Sequence, residues 1–389
     1  MVKLIKTNST KLFLIIISFL FIACSQQINK KGNSKKSDFV DPFMCTSSEH
    51  GHTDPAAAVP FGMAKPAPDS DPLGYSGYDF SAKKVLGFSN TRFSGVGCRG
   101  VGGNIRILPF VISDDTSAIP KSLKLDKNTE KASVGYYSVS LENKVKVSLT
   151  ATNQVAFHKY TFPESENAGL FIDLASSFVG HNYQEHLVDE AGIVSGKISS
   201  RNICNKGDYT LYFALSTDKK DSKIISNNSK IKIEFSAQKN EEVLVRCALS
   251  VVSAENAKTK LKKQANVPFD VVHKNAINKW EEILQVVDVE TKDSVVKRMF
   301  YTHLYHATQT PFIIQDQDGQ YRGSDGKLYK TKQKNHFHGW SVWDTFRTKL
   351  PLFSLFYREH YIDMMTSLSE LYKQGKVDWS TPTEPYKTK

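Results

Sequence analysis

The side chains best suited to chemistry in this sequence stand in Trp340-Ser-Val-Trp343-Asp344-Thr345-Phe346-Arg347. An indole face covers the apolar face of a sugar ring, while a carboxylate such as Asp344 and a guanidinium such as Arg347 take its hydroxyls. The same spacing has a plainer reading. Ser341 and Asp344 fit an S-x-x-D capping box, and Asp344 with Arg347 at i, i+3 fits a surface ion pair of little worth. Spacing alone favours the cap. A second cluster, Glu49-His50-Gly-His52-Thr-Asp54, has the look of a metal site. Zinc would need a third nitrogen or sulfur ligand with outer support, and nothing nearby supplies either, so a turn with satisfied histidines is favoured over ligation. Asp316-Gln-Asp318-Gly319 through Asp325-Gly326 resembles part of a calcium loop, but the twelfth-position glutamate is missing, which leaves a hairpin or irregular loop. Gly95-Val-Gly97-Cys-Arg-Gly100 matches a dinucleotide fingerprint only as letters. That motif needs a helix after it, and the strand-like run 104–113 follows instead. No Ser-His-Asp or Cys-His arrangement follows from residue order.

The elements that must position these residues change character once. Runs at 136–141, 145–149, 155–162, 169–174, 209–215, 231–235 and 243–252 are short, β-branched or aromatic, and separated by turns such as Asn227-Asn228. They predict a β-sandwich domain over 39–253. Beyond it the period becomes helical. In 269–287 Val272, Ala276, Trp280, Ile283, Leu284 and Val287 share one face; in 293–310 Val296, Met299, Phe300, His303, Leu304 and Ala307 do so. Further helices are expected at 341–349 and 361–372. The fold class is thus a β domain followed by an all-α domain over 254–389.

The N-terminus carries its own instructions. Lys3, Lys6 and Lys11 precede an apolar run at 12–22, too short for the roughly 20 residues that cross a bilayer. Phe21-Ile-Ala-Cys24 places a cysteine directly after a small residue, so 1–24 reads as a lipoprotein signal with Cys24 the lipidated residue. Residues 25–38 are almost devoid of apolar side chains and form a flexible tether, up to roughly 45 Å long if extended. The formal charge of +11 includes the signal and tether lysines, and the rest are scattered, so a solvated surface is favoured over nucleic-acid binding. Cys45, Cys98, Cys204 and Cys247 show no CxxC spacing, which disfavours a thiolate metal site and leaves one or two disulfides or buried free thiols.

Several of these residues recur in a known order. Val40-Asp-Pro-Phe43, Gly51-His-Thr53, Pro60-Phe-Gly-Met63, Gly87-Phe-Ser89 and Ser94-Gly95 resemble the N-terminal domain of glycoside hydrolase family 92, the exo-acting α-mannosidases. Phe300-Tyr-Thr-His-Leu-Tyr305-His306, Tyr321-Arg-Gly323 and Trp343-Asp-Thr-Phe-Arg347 resemble the start of that family's catalytic domain. The resemblance implies a β-sandwich packed on an (α/α)6 toroid with the active site between them. It implies calcium bound to two hydroxyls of the terminal mannose, and an α-1,2-type inverting cleavage of mannose-rich glycans. An acid and a base then stand roughly 6.5–9.5 Å apart. On this analogy Asp344 contacts sugar hydroxyls, Trp343 and Arg347 shape the same subsite, and His50 and His52 lie on the loop facing it.

Two departures qualify the expectation. The family often has two histidines where this chain has Asn90 and Arg92, which puts the favoured linkage in doubt. The stretches resembling the acid, the base and the calcium site would lie beyond Lys389, so no catalytic or metal residue is assigned in this chain. It is expected to be truncated, inactive alone, and to expose unpaired apolar helix faces. The rival expectation is a non-catalytic glycan-binding lipoprotein. Either way the place is the cell envelope, with a lipid anchor in the membrane.

Overall fold

The computed structural model describes residues 34–47, 52–93, 95, 100–112, 118–202, 207–340 and 345–375. The β-rich half forms a curled antiparallel sheet of fourteen strands. One layer holds Lys84–Ser89, Arg106–Val111, Ser165–Asp173 and Lys230–Ala237; the other holds Tyr136–Leu141, Lys146–Ala151, Val155–Phe162, Glu241–Ser250 and Asp208–Thr217. Leu123–Ser133 belongs to both. It pairs with Lys84–Ser89 at its start and Tyr136–Leu141 along its length, and its register shifts between Asp126 and Lys131. A shifted strand of this kind turns the corner of a sandwich. Asn228, in the expected turn, adopts φ 49°, a left-handed conformation that asparagine tolerates.

Residues facing between the layers, among them Ile107, Leu170, Ile233, Val147, Tyr160, Leu215 and Val245, form one buried cluster. The second layer is also covered outside. Helix α1 (Ala254–Gln264) and helix α2 (Phe269–Leu284) place Ala257, Leu261, Phe269 and Val272 against Val155, Phe157, Ala214 and Ala248. That second cover explains why Glu241–Ser250 is buried along almost its whole length instead of alternating.

Helix α2 buries the expected Val272, Ala276, Trp280, Ile283 and Leu284, but ends at Leu284, leaving Val287 outside it. Helix α3 (Ser294–Ala307) starts where Asp293 accepts from the amides of Val295 and Val296. Its expected face is right only in part, with Leu304 buried and Phe300 half-buried against the helical core. Tyr301, Thr302, Leu304 and Tyr305 are buried, while Val296, Met299 and His303 are exposed. Large apolar residues surround this helix, so period alone did not choose a side; Tyr305, 4.4 Å from the Trp280 ring, did. Of the helix expected at 341–349, residues 341–344 lie outside the described residues, Thr345 is helical and 346–348 form a turn; helix α4 (Lys349–Phe356) follows, with Pro351 in its first turn where a missing N–H costs nothing. Helix α5 (Arg358–Gln374) contains the expected 361–372. Val295, Val296, Met299, Leu355 and Ile362 remain exposed, as a helical layer packed on one side only requires.

At the N-terminus the expected tether is shorter than 25–38. Lys36–Phe39 forms a 3-10 turn because the Glu281 carboxylate accepts from the amides of Lys36 (2.7 Å) and Ser37 (3.0 Å). Cys45 and Cys247 are free thiols, exposed and buried respectively; Cys98 and Cys204 lie outside the described residues.

Candidate functional site

The segment 54–65 crosses from the sandwich to the helices and builds the seam between them. The Trp280 indole donates to Ala58 O (2.7 Å), and the Tyr305 hydroxyl to Ala56 O (3.4 Å). The amide of Phe61 donates to Thr308 O (3.1 Å), and the amide of Ile313 to Phe61 O (2.9 Å). The Phe61 ring then packs edge-on against Phe337 and Phe353 and stacks on His360. Pro60-Phe-Gly-Met63, one of the motifs of the resemblance, is therefore the knob that docks the sandwich.

Polar groups collect beside this knob. Lys65 reaches Gln309 O (2.8 Å) and Lys349 reaches Thr310 Oγ1 (2.9 Å). Among the described residues neither lysine has a carboxylate within ion-pairing distance. Burial lowers Lys65 to about 8, an effect opposed by Asp54. Burial, with repulsion from Lys65, lowers Lys349 to about 7. Burial also lowers His306 to about 4, again opposed by Asp54. Asp54 is 1 % exposed; its Oδ1 accepts from the Ala56 amide (3.0 Å), and its Oδ2 has no hydrogen-bond partner. Gln309 Nε2 and the Trp340 indole N–H are likewise buried and unpartnered. Unmet donors and acceptors together are what a polyhydroxylated ligand would satisfy.

The expected site residues are only partly in view. Cys24, His50, Trp343 and Asp344 lie outside the described residues. The ring of His52 sits 4.2 Å from that of Tyr75, and its carbonyl accepts from the Gly95 amide (2.7 Å), which holds the two loops of the resemblance together. Arg347 is exposed, its guanidinium 5.3 Å from the Phe346 ring. The structure does not bring Arg347 and His52 into contact. Among the described residues no three His, Cys, Asp or Glu side chains cluster as a metal site.

Other motif residues prove to be architecture. Arg92 is buried, donating to the carbonyls of Ser76 (3.1 Å), Ala67 (2.9 Å) and Pro68 (2.6 Å) and to Asp69, which also accepts from Arg106 (2.6 Å). Asn90 bridges Ile105 O (2.6 Å) and His158 (2.8 Å). Both are buried. Arg322 ties its hairpin to the carbonyls of Val251 (3.0 Å) and Val252 (2.8 Å). Asp316 accepts from Ser250 (2.7 Å), Asn256 (2.6 Å) and Lys260, so it holds the loop rather than an ion. Beyond the glycine motif, Arg92–Phe93 pairs with Val101–Gly102 and the strand Arg106–Val111 follows, which no nucleotide loop does. Sequence reasoning missed Lys65, Gln309 and Lys349, and took Asp54 only as part of a turn. The one available signal was a charged residue inside an apolar run, as in Phe61-Gly-Met-Ala-Lys65-Pro-Ala.

Fold and seam together describe a β-then-α protein with unmet polar groups where its two parts meet. The chain belongs to glycosyl hydrolase family 92: residues 39–250 match the family's N-terminal domain and residues 256–387 its catalytic domain. It is similar to an α-mannosidase of this family from Bacteroides thetaiotaomicron, with a TM-score of 0.79 and 27% identity, covering 88% of this chain and 50% of that one. That mannosidase has also been solved in complex with mannoimidazole. An inverting mannosidase of the family from Bacteroides thetaiotaomicron VPI-5482 shares the fold, with a TM-score of 0.73 and 22% identity over 89% of this chain and 49% of that one. A protein described as an uncharacterized secreted glycosidase of Arthroderma benhamiae is 24% identical over 354 residues, 79% of this chain and 45% of its own length. The chain thus spans about half the length of these relatives.

Proposed function

We propose that this chain is the sandwich and the opening part of the helical domain of an exo-acting, inverting α-mannosidase that trims mannose-rich glycans at the cell envelope. The observation that carries this reading is the family match running through both domains, from 39 to 387, over the seam where the unpartnered polar groups collect. Trp343, Asp344 and Arg347 would hold the terminal mannose, with His50 and His52 on the facing loop, and the helices would open an (α/α)6 toroid. Calcium, supplied by the family analogy, would bind two sugar hydroxyls and help distort the ring. Its ligands, and the acid and base, are not assigned to residues of this chain. Lipid on Cys24 would anchor the protein, with 25–35 as its tether.

Incubation with an α-mannobiose and calcium tests the catalytic half of this proposal. The chain alone is expected to release no mannose; robust release would overturn that expectation. A second reading, glycan binding without turnover, is favoured by the buried carboxylates. Inverting hydrolysis needs two. Among the described aspartates that are buried, Asp69, Asp316 and Asp363 are committed to other partners, and Asp54 keeps the one unpartnered oxygen. Calorimetry with mannose oligosaccharides separates the two: heat of binding without product supports the second reading.

A further inference from the structure

Behind the seam lies a cleft that the mannosidase reading does not use. Phe312 and Ile313 are successive residues of one short strand, so their side chains take opposite faces. Phe312 faces Lys65 and the ring of Phe93; Ile313 lines a cavity of about 570 Å³ on the other side. The cavity lies where the sandwich, α1, α2 and the segment 313–335 meet, and its volume is that of a small-ligand site. We propose that this cleft is a second, non-catalytic site, one that binds a short anionic oligosaccharide.

Three observations support the assignment. The floor is rigid before any ligand arrives. Gln154 donates to Ile314 O and Gln315 O, both at 3.1 Å. The Gln315 amide is fixed at both ends, accepting from the His336 amide (2.7 Å) and donating to Lys334 O (3.0 Å). Asn335 is held by Asp363 (3.0 Å from its backbone amide). Preorganisation of this kind removes an ordering cost from binding.

The walls offer the groups that read hydroxyls. Asn153, Gln264, Gln333 and Asn335 line the cavity, and amides both donate and accept; Gln333 and Asn335 already donate to Ser367 and Asp363 (both 3.2 Å), which leaves their oxygens for a ligand's hydroxyls. Asn153 Oδ1 is out of water and has no donor. The lining contains no aromatic residue, so stacking on a sugar face is not available as the source of affinity.

Charge is available. Lys279, Lys330 and Lys334 line the cleft without an ion-pair partner among the described residues, whereas Lys260 is paired with Asp316. Asp318 is the remaining acid of the lining, and it accepts from Gln320 (2.8 Å). Unpaired ammonium groups around one concavity attract a negative ligand. An adjoining pocket that shares Lys279 and Lys334 carries Glu282 and Glu359, which places the anionic group of the ligand at the Lys330 end.

The test is calorimetry of the full chain with a singly sulfated disaccharide, its neutral parent and inorganic sulfate, in low salt and without calcium. The sulfated sugar is expected to bind at least about tenfold more tightly than either probe alone, and binding should weaken with salt. Lys279→Ala/Lys330→Ala, at two exposed positions where folding is little affected, should weaken it about tenfold. Mannose in excess should not displace it, which separates this site from the mannosidase subsite. Equal binding of the neutral sugar, sulfate as tight as the sulfated sugar, an unaffected double variant, or displacement by mannose would each overturn the proposal.

Discussion

Arg92 carries a positive charge in the interior, where its terminal nitrogens donate to three carbonyls and to Asp69. Charges buried in this way are costly to break singly, because the remaining partner is left uncompensated. Arg92→Met is expected to lower unfolding stability by about 3–5 kcal/mol, read from the urea midpoint, since of its two cations Asp69 would keep only Arg106, beside the Ser89 hydroxyl. Lys349 is a different case, a buried amine facing another cation. Its ordinary value is 10.5 and it is lowered to about 7 in the fold. Between those values the unfolded chain holds the proton and the folded chain does not. Stability therefore rises with pH from about 7 toward 10.5, at up to about 1.4 kcal/mol per pH unit for one proton, and is insensitive to this group below 7. Lys349→Met should flatten that rise and be relatively most stabilising at neutral pH. Denaturation at pH 7 and pH 9.5 checks it, and an unchanged slope would contradict it.

At the scale of elements, the seam depends on few side chains. Trp280 is wholly buried, bonds to Ala58 O and packs on Tyr305, so it joins the segment 54–65 to α2 and α3. Trp280→Ala should cost about 3–5 kcal/mol in an unfolding titration. The exposed side of α3 behaves oppositely. Met299→Lys, at a residue 46 % exposed, should change stability by less than about 0.5 kcal/mol while reducing self-association in sedimentation. The helical period in 293–310 was legible because apolar residues recur. Its buried side was not, because Val295, Val296, Met299, Phe300, Tyr301, Leu304 and Tyr305 surround the axis and only the partner distinguishes them. Strands were easier to locate: Tyr136–Leu141 and Val155–Phe162 fall where alternation and flanking turns put them. Register was out of reach, since nothing local tells Leu123–Ser133 to shift and turn the corner.

At the scale of the whole molecule, the described residues form a β sandwich and a helical part that meet along one seam. Among the described residues no helix is long and apolar enough to cross a membrane. If lipid on Cys24 is the attachment, Cys24→Ala should move the protein from the membrane to the soluble fraction on cell fractionation, and persistence in membranes would refute the anchor. The family was legible from ordered local motifs, because Pro60-Phe-Gly-Met63 and Trp343-Asp-Thr-Phe-Arg347 are unusual strings whatever they do. Their division of labour was not legible. The first proved to be the docking knob, and Asn90 and Arg92, which looked like specificity positions, are buried. By itself the sequence determined many of the elements, the change from β to α near residue 253, and family membership, since these depend on residue type and short-range spacing. Only the tertiary structure decided that Asp54, Lys65, Gln309 and Lys349 come together. They are as much as 295 positions apart, and burial, charge and unmet hydrogen bonds exist only once the domains have closed on one another.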